Sequence, residues 1–173
     1  MNPLESRRTA LILIDLMPRI VALQTAPLSG PVVLERSVAL AAATRSAGGL
    51  VVNVRVERPG VDVQPEGSGF PPEVVPQEGD LEIVKQTIGA FGRSPLDAEL
   101  RSRGIANVVL AGIATNFGVE STGRAASDLG YETFFVTDAM TGLDGHAHDF
   151  AVSYVFPRIG ANCTSEEYLK ALN

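Results

Sequence analysis

Asp15 closes a continuous apolar run, Lys85 follows a short candidate strand, and residues 112–118 read GIATNFG directly after another apolar run. A carboxylate at the end of a buried strand has its charged form penalised by the low dielectric, so its pKa rises unless a cation or hydrogen bonds oppose the effect. Asp15 is therefore a candidate for proton transfer, as acid or as base, and Lys85 is a candidate for the opposing cation. Read singly, each has a plainer role, as a carboxylate capping the following segment and as a solvated surface lysine. Their pairing is not derivable from spacing. The 112–118 turn joins a strand to a helix, and backbone N–H groups at such a junction suit a carboxylate or a developing oxyanion. The plainer alternative is a glycine-containing connection with Thr115 or Asn116 as helix cap. The turn contains neither cysteine nor serine, which closes the usual covalent routes there. Arg55 and Arg58, at and just beyond the end of a strand, are candidates to hold a substrate carboxylate, or else are surface arginines.

The elements that must position these groups alternate. Strands are expected over 9–14, 50–56, 81–84, 107–111, 132–137 and 159–162. The first is apolar throughout, as in a strand buried on both faces of a parallel sheet. Helices are expected over 32–47, ended by Gly48-Gly49, over 95–103 with Ser94 as cap, over 119–129, around 148–156 and over 165–172. Residues 59–79 hold five prolines and four glycines and read as a long surface loop, a kind of segment that is often functional. The alternation predicts an α/β fold, a mainly parallel six-stranded sheet between two layers of helices, in one domain over 1–173. Open parallel sheets bind ligands outside the carboxyl ends of their strands where strand order reverses, which is where Asp15, Lys85 and the turn would lie.

The run ALILID ending at Asp15, Lys85 with Phe91 downstream, and VVLAGIATNFGVEST over 108–122 together resemble the isochorismatase-like hydrolase superfamily over nearly the whole chain. In most of that superfamily, nicotinamidases and other amidohydrolases included, a cysteine after the Thr-Asn-aromatic segment forms a triad with the aspartate and lysine. Here that position is Gly118, so a thioester route is closed. Glycine is also found there in true isochorismatases, which hydrolyse a vinyl ether without a covalent intermediate. The resemblance thus implies a hydrolase acting on a small carboxylated metabolite, with Asp15 as general acid, Lys85 as electrostatic partner, and Ala114, Thr115, Asn116, Phe117, Arg55 and Phe91 around the substrate. It also implies a cis Ile113–Ala114 peptide and a homo-oligomer, with the long loop and the helix near His148 as candidate contacts. True isochorismatases carry a Tyr-Ala-His type segment where this chain has Ile113-Ala114-Thr115-Asn116, so it matches neither group fully. The alternative function is a metabolite-binding or assembly protein that kept the pocket without turnover.

Composition narrows the classes. A net charge of -6 leaves no general positive field for nucleic acid. No apolar run is long enough for a membrane span or a signal peptide, and the expected location is cytoplasmic. Cys163 is the single cysteine, so a dithiol redox enzyme is excluded, and its expected role is structural. His146 and His148 are two apart and would not face together on a helix, so no metal and no cofactor is expected.

Overall fold

β1 (Thr9–Ile14) is buried at every residue because its alternate side chains enter two different cores. Ala10, Ile12 and Ile14 pack in one with Leu96, Leu100 and Phe135, whereas Leu11 and Leu13 pack in the other with Val33, Leu40 and Tyr168. The computed structural model describes residues 2–172. Around β1 lie β2 (Leu50–Val56), β3 (Leu81–Lys85), β4 (Asn107–Ile113), β5 (Glu132–Thr141) and β6 (Ala161–Cys163). They form one sheet in the order β3-β2-β1-β4-β5-β6, parallel throughout.

The helices are α1 (Pro18–Val21), α2 (Gly30–Ser46), α3 (Leu96–Ser102), α4 (Glu120–Asp128), α5 (Gly145–Phe150), α6 (Phe156–Ile159) and α7 (Ser165–Ala171). α2 and α7 feed Val33, Leu40, Tyr168 and Ala171 into one core, while α3, α4 and α6 feed Leu96, Leu100, Ala126 and Phe156 into the other. The result is the expected three-layer α/β/α architecture. No helix among the described residues is long and apolar enough to cross a membrane.

Three expectations shift. β5 continues four residues past 137, through a break in register: Leu110 pairs with Phe135 but Gly112 with Met140. The polar pair Thr137-Asp138 interrupts the apolar pattern at this bulge, and Asp138 uses its carboxylate to accept from the Ser165 N–H (2.7 Å) and hydroxyl (2.9 Å) at the start of α7. The helix expected around 148–156 is α5, a π-helical turn over Ala151–Val155 and α6 in succession. Cys163 ends β6 instead of following the last strand.

The segment 112–118 is also more ordered than a connecting turn. Gly112 and Ile113 belong to β4, Ile113–Ala114 is a cis peptide, and Thr115–Val119 winds as a π-helical turn straight into α4. Gly112 has φ +119, and a Cβ there would lie 2.2 Å from the Ile14 carbonyl oxygen, so only glycine lets β4 lie this close to β1.

Candidate active site

The strand order reverses between β1 and β4, so their carboxyl ends diverge and leave a crevice above the sheet. Asp15 stands at the end of β1. Its N–H still pairs with the Val54 carbonyl of β2 (3.0 Å), while its φ of 52 turns the chain off the strand direction. Aspartate is among the few residues that tolerate this left-handed conformation. Lys85 ends β3, two strands away, where its own carbonyl is held by the Glu57 N–H (2.9 Å). Strands two apart are separated by about 10 Å, a gap that a lysine side chain spans together with a short acidic one. Lys85 Nζ donates to Asp15 Oδ2 at 2.8 Å and to the Ile88 carbonyl at 2.6 Å.

Both members of the pair are buried, Lys85 to 2% exposure and Asp15 to 7%. Burial pushes the Asp15 carboxyl up, while Lys85 and, less strongly, Arg19 pull it down; burial prevails and the pKa is raised. Asp15 Oδ1 is buried without a hydrogen-bond partner, which adds to the cost of the ionised form.

Gly118 completes the group. A Cβ built on it would lie 3.3 Å from Asp15 Oδ2 and 3.5 Å from Lys85 Nζ, so a side chain at this position would sit on the pair. It would also lie 2.8 Å from Ile14 Cγ2, whose methyl group already fills that space. Gly118→Ala is accordingly expected to lose about 1–3 kcal/mol of stability by overpacking, read from the urea midpoint. An unchanged midpoint would show that Ile14 yields freely.

Asp15, Lys85, Ala114, Phe117 and Gly118 line one cavity of about 450 Å³. Its walls are otherwise largely apolar, with Ile20, Leu23, Ile88 and Leu143 among them. Arg58 and Glu57 contribute the remaining charges.

Four residues expected around the substrate lie elsewhere. Arg55 is taken by Glu57 and by Glu82 (2.8 Å) and is absent from the cavity wall. Phe91 stacks on Tyr131 (ring centroids 5.9 Å) and packs against the core beneath α3 and α4. Asn116 is half-buried, with its Oδ1 beside Gly142 and unpartnered. Thr115 is fully buried, and its hydroxyl shares a 2.8 Å hydrogen bond with His148 Nδ1.

Sequence reasoning missed two supports of the site. Thr122 Oγ1 donates to the Gly118 carbonyl (2.6 Å) and accepts from the Ala90 N–H (3.0 Å), tying the turn to the loop after Lys85. His148 ties the same turn to α5 through Thr115. Its i, i+2 relation to His146 argued against metal but said nothing of a partner on another element. Burial lowers the His148 pKa from its ordinary 6.5, against a smaller upward pull from Asp149. Above 6.5 both folded and unfolded chains carry it neutral. As the pH falls through 6.5 the unfolded chain gains the proton first, so stability drops until the lower folded pKa is passed. Replacing His148 by Gln is expected to remove a pH slope of up to about 1.4 kcal/mol per unit in this window, measured by denaturant unfolding between about pH 5 and 7.5. An identical slope in both proteins would place the titration elsewhere.

A sheet with its crevice at this switch point, an aspartate and lysine paired within it, and a cis peptide opening the adjoining turn agree with what the sequence resembles. The isochorismatase domain model matches residues 9–167. The chain belongs to the isochorismatase family. It is 39% identical to the isochorismatase family protein YwoC of Bacillus subtilis (strain 168), over 96% of this chain and 95% of that protein. Identity to the isochorismatase family protein YecD of Escherichia coli O157:H7 is 35%, over 99% of this chain and all of that one. The structure of an isochorismatase family protein from Burkholderia thailandensis superposes with a TM-score of 0.90 at 35% identity, covering 99% of each chain. As an isochorismatase-family hydrolase fold, the chain has at Gly118 no atom able to attack a carbonyl. Cys163 does not replace one: it is buried, its Sγ donates to the Phe135 carbonyl (3.6 Å), and burial pushes the thiol up to about 12.

Proposed function

We propose that the protein is a cysteine-independent hydrolase of a small carboxylated enol ether, with Asp15 as general acid. The observation that carries this reading is the Asp15–Lys85 pair on the cavity wall beside a residue with no side chain. The carboxyl group is buried beside the position where relatives by resemblance would place a nucleophile, and that position, Gly118, has no side chain to attack with.

In the proposed reaction Asp15 gives its proton to the terminal methylene of an enolpyruvyl ether. The carbon–carbon π bond breaks and an oxocarbenium ion forms, beside a carboxylate that has just become negative. Water adds to the cationic carbon and its proton returns to Asp15. The hemiketal then breaks its carbon–oxygen bond, the hydroxyl proton moves to the departing oxygen, and an alcohol and pyruvate leave. One water is consumed. Lys85 stabilises the Asp15 carboxylate between the two proton transfers, and its second bond to the Ile88 carbonyl fixes the direction from which it does so. A raised Asp15 pKa supports the acid role, because a donor works best when protonated near the working pH.

The test is pyruvate release from isochorismate, followed with and without prior alkylation by iodoacetamide. Turnover that survives alkylation is expected. No turnover of isochorismate or of other enolpyruvyl ethers would overturn the reading, as would complete inactivation by the reagent.

A further inference from the structure

Of the charged groups on the cavity wall, one has no partner. Lys85 is held by Asp15, and Glu57 is held by Arg55, which Glu82 also engages. Arg58 lies on the same wall, exposed where Asp15 and Lys85 are buried, and its guanidinium makes neither a hydrogen bond nor an ion pair among the described residues. Its backbone, by contrast, is pinned twice by one side chain. The Arg58 N–H donates to Gln64 Oε1 (2.8 Å), and Gln64 Nε2 donates to the Arg58 carbonyl (3.0 Å). Gln64 thus pairs with Arg58 as a neighbouring strand would, at a point where β2 has ended.

The loop that supplies Gln64 is itself anchored beside the site. Arg19 of α1 donates its N–H to the Gly67 carbonyl (3.2 Å), its Nε to the Ser68 hydroxyl (2.9 Å) and a terminal nitrogen to the Val56 carbonyl (3.4 Å). A free guanidinium on a long side chain is ordinarily a solvated surface group. Here its backbone is fixed, its acidic neighbour is neutralised by another arginine, and it opens on a cavity whose walls are largely apolar, with Lys85 already held by Asp15.

We propose that Arg58 is the carboxylate-recognition residue of the cavity and Gln64 its positioning residue, selecting substrates that carry a carboxylate on an otherwise apolar body. Such a molecule places its carboxylate at the rim on Arg58 and its body along Leu23, Phe117 and Leu143, and brings its reacting group down to Asp15. The guanidinium offers the planar pair of donors that a carboxylate accepts. This assignment rests on the same cavity as the proposed hydrolysis, but it is testable without turnover.

The experiment is calorimetric titration of the whole protein with benzoate and, as a neutral match, benzamide. Wild type is expected to bind benzoate more tightly. Arg58→Gln should weaken benzoate about 10- to 100-fold, the span of a charge-assisted hydrogen bond, and leave benzamide unchanged. Arg58→Lys should keep part of the preference. Gln64→Ala should weaken benzoate severalfold, again sparing benzamide, whereas a merely structural loosening of the loop would weaken both alike. Equal losses for the two ligands, an unaffected Arg58→Gln, or no preference for benzoate in wild type would each overturn the assignment. Arg58-dependent benzoate binding in a protein that turns over no enol ether would sink the proposed hydrolysis and leave this site standing.

Discussion

Asp15→Asn is expected to lower kcat/KM for an enolpyruvyl ether by about 10² to 10⁴, the usual worth of a positioned general acid. The amide keeps the size and most of the polarity of the carboxyl group but has no proton to give to carbon. Lys85→Met should act differently. It leaves the acid in place and removes the cation that stabilises the carboxylate formed after transfer, so a loss in kcat with the alcohol and pyruvate products unchanged is expected. Stopped-time pyruvate assays on folded protein, checked by circular dichroism, measure both. Equal rates for wild type and Asp15→Asn would remove Asp15 from the chemistry.

The second large effect falls on stability. Asp15→Asn leaves Lys85 buried at 2% exposure with neutral acceptors only, the new amide oxygen and the Ile88 carbonyl, and removing the countercharge of a buried pair costs about 3–5 kcal/mol. Lys85→Met is expected to cost less near neutral pH, because Asp15 is already raised and its pKa climbs further once its main cation is gone, so the carboxyl escapes by taking up a proton. The double change Asp15→Asn with Lys85→Met removes both charges and should recover most of the loss, giving a stability close to wild type. For a chain of this length each kcal/mol moves Tm by about 2–4 °C, so the cycle is readable by thermal or urea unfolding. Additive losses would mean that the two side chains are not coupled. The sign for Asp15 alone follows from its raised pKa. Its contribution to stability is greatest below the ordinary 3.8 and is lost as pH rises through the folded value, so the ionised form at the working site is a cost the core must carry.

Much of this arrangement was legible in the chain. Alternation of apolar runs with helical periods gives the parallel sheet, because a strand buried on both faces has no polar side to show, and residues 9–14 and 107–113 show none inside the sheet. Asp15 stood out by breaking such a run. Lys85 was a candidate by its place after a short strand, but its pairing with Asp15 was not legible, since it depends on a strand order in which β2 lies between them. Arg55 and Arg58 look alike in sequence. Only the register of β2 against β3, which sets Arg55 opposite Val84 and beside Glu82, separates the arginine that is neutralised from the one that is not. Phe91 was placed near the substrate by resemblance, yet its ring stacks on Tyr131, a contact between the loop after β3 and the residue that precedes β5. Thr115 and His148 are 33 residues apart and meet only because α5 packs beside the π-helical turn.

The pH dependence of kcat/KM for an enolpyruvyl ether tests the acid role of Asp15 most directly. The expected profile falls as pH rises through the raised Asp15 pKa, since the protonated carboxyl is the active form, and in Lys85→Met the fall moves to higher pH because a group that lowers that pKa is gone. A profile that is flat, or that rises as Asp15 ionises, would contradict it.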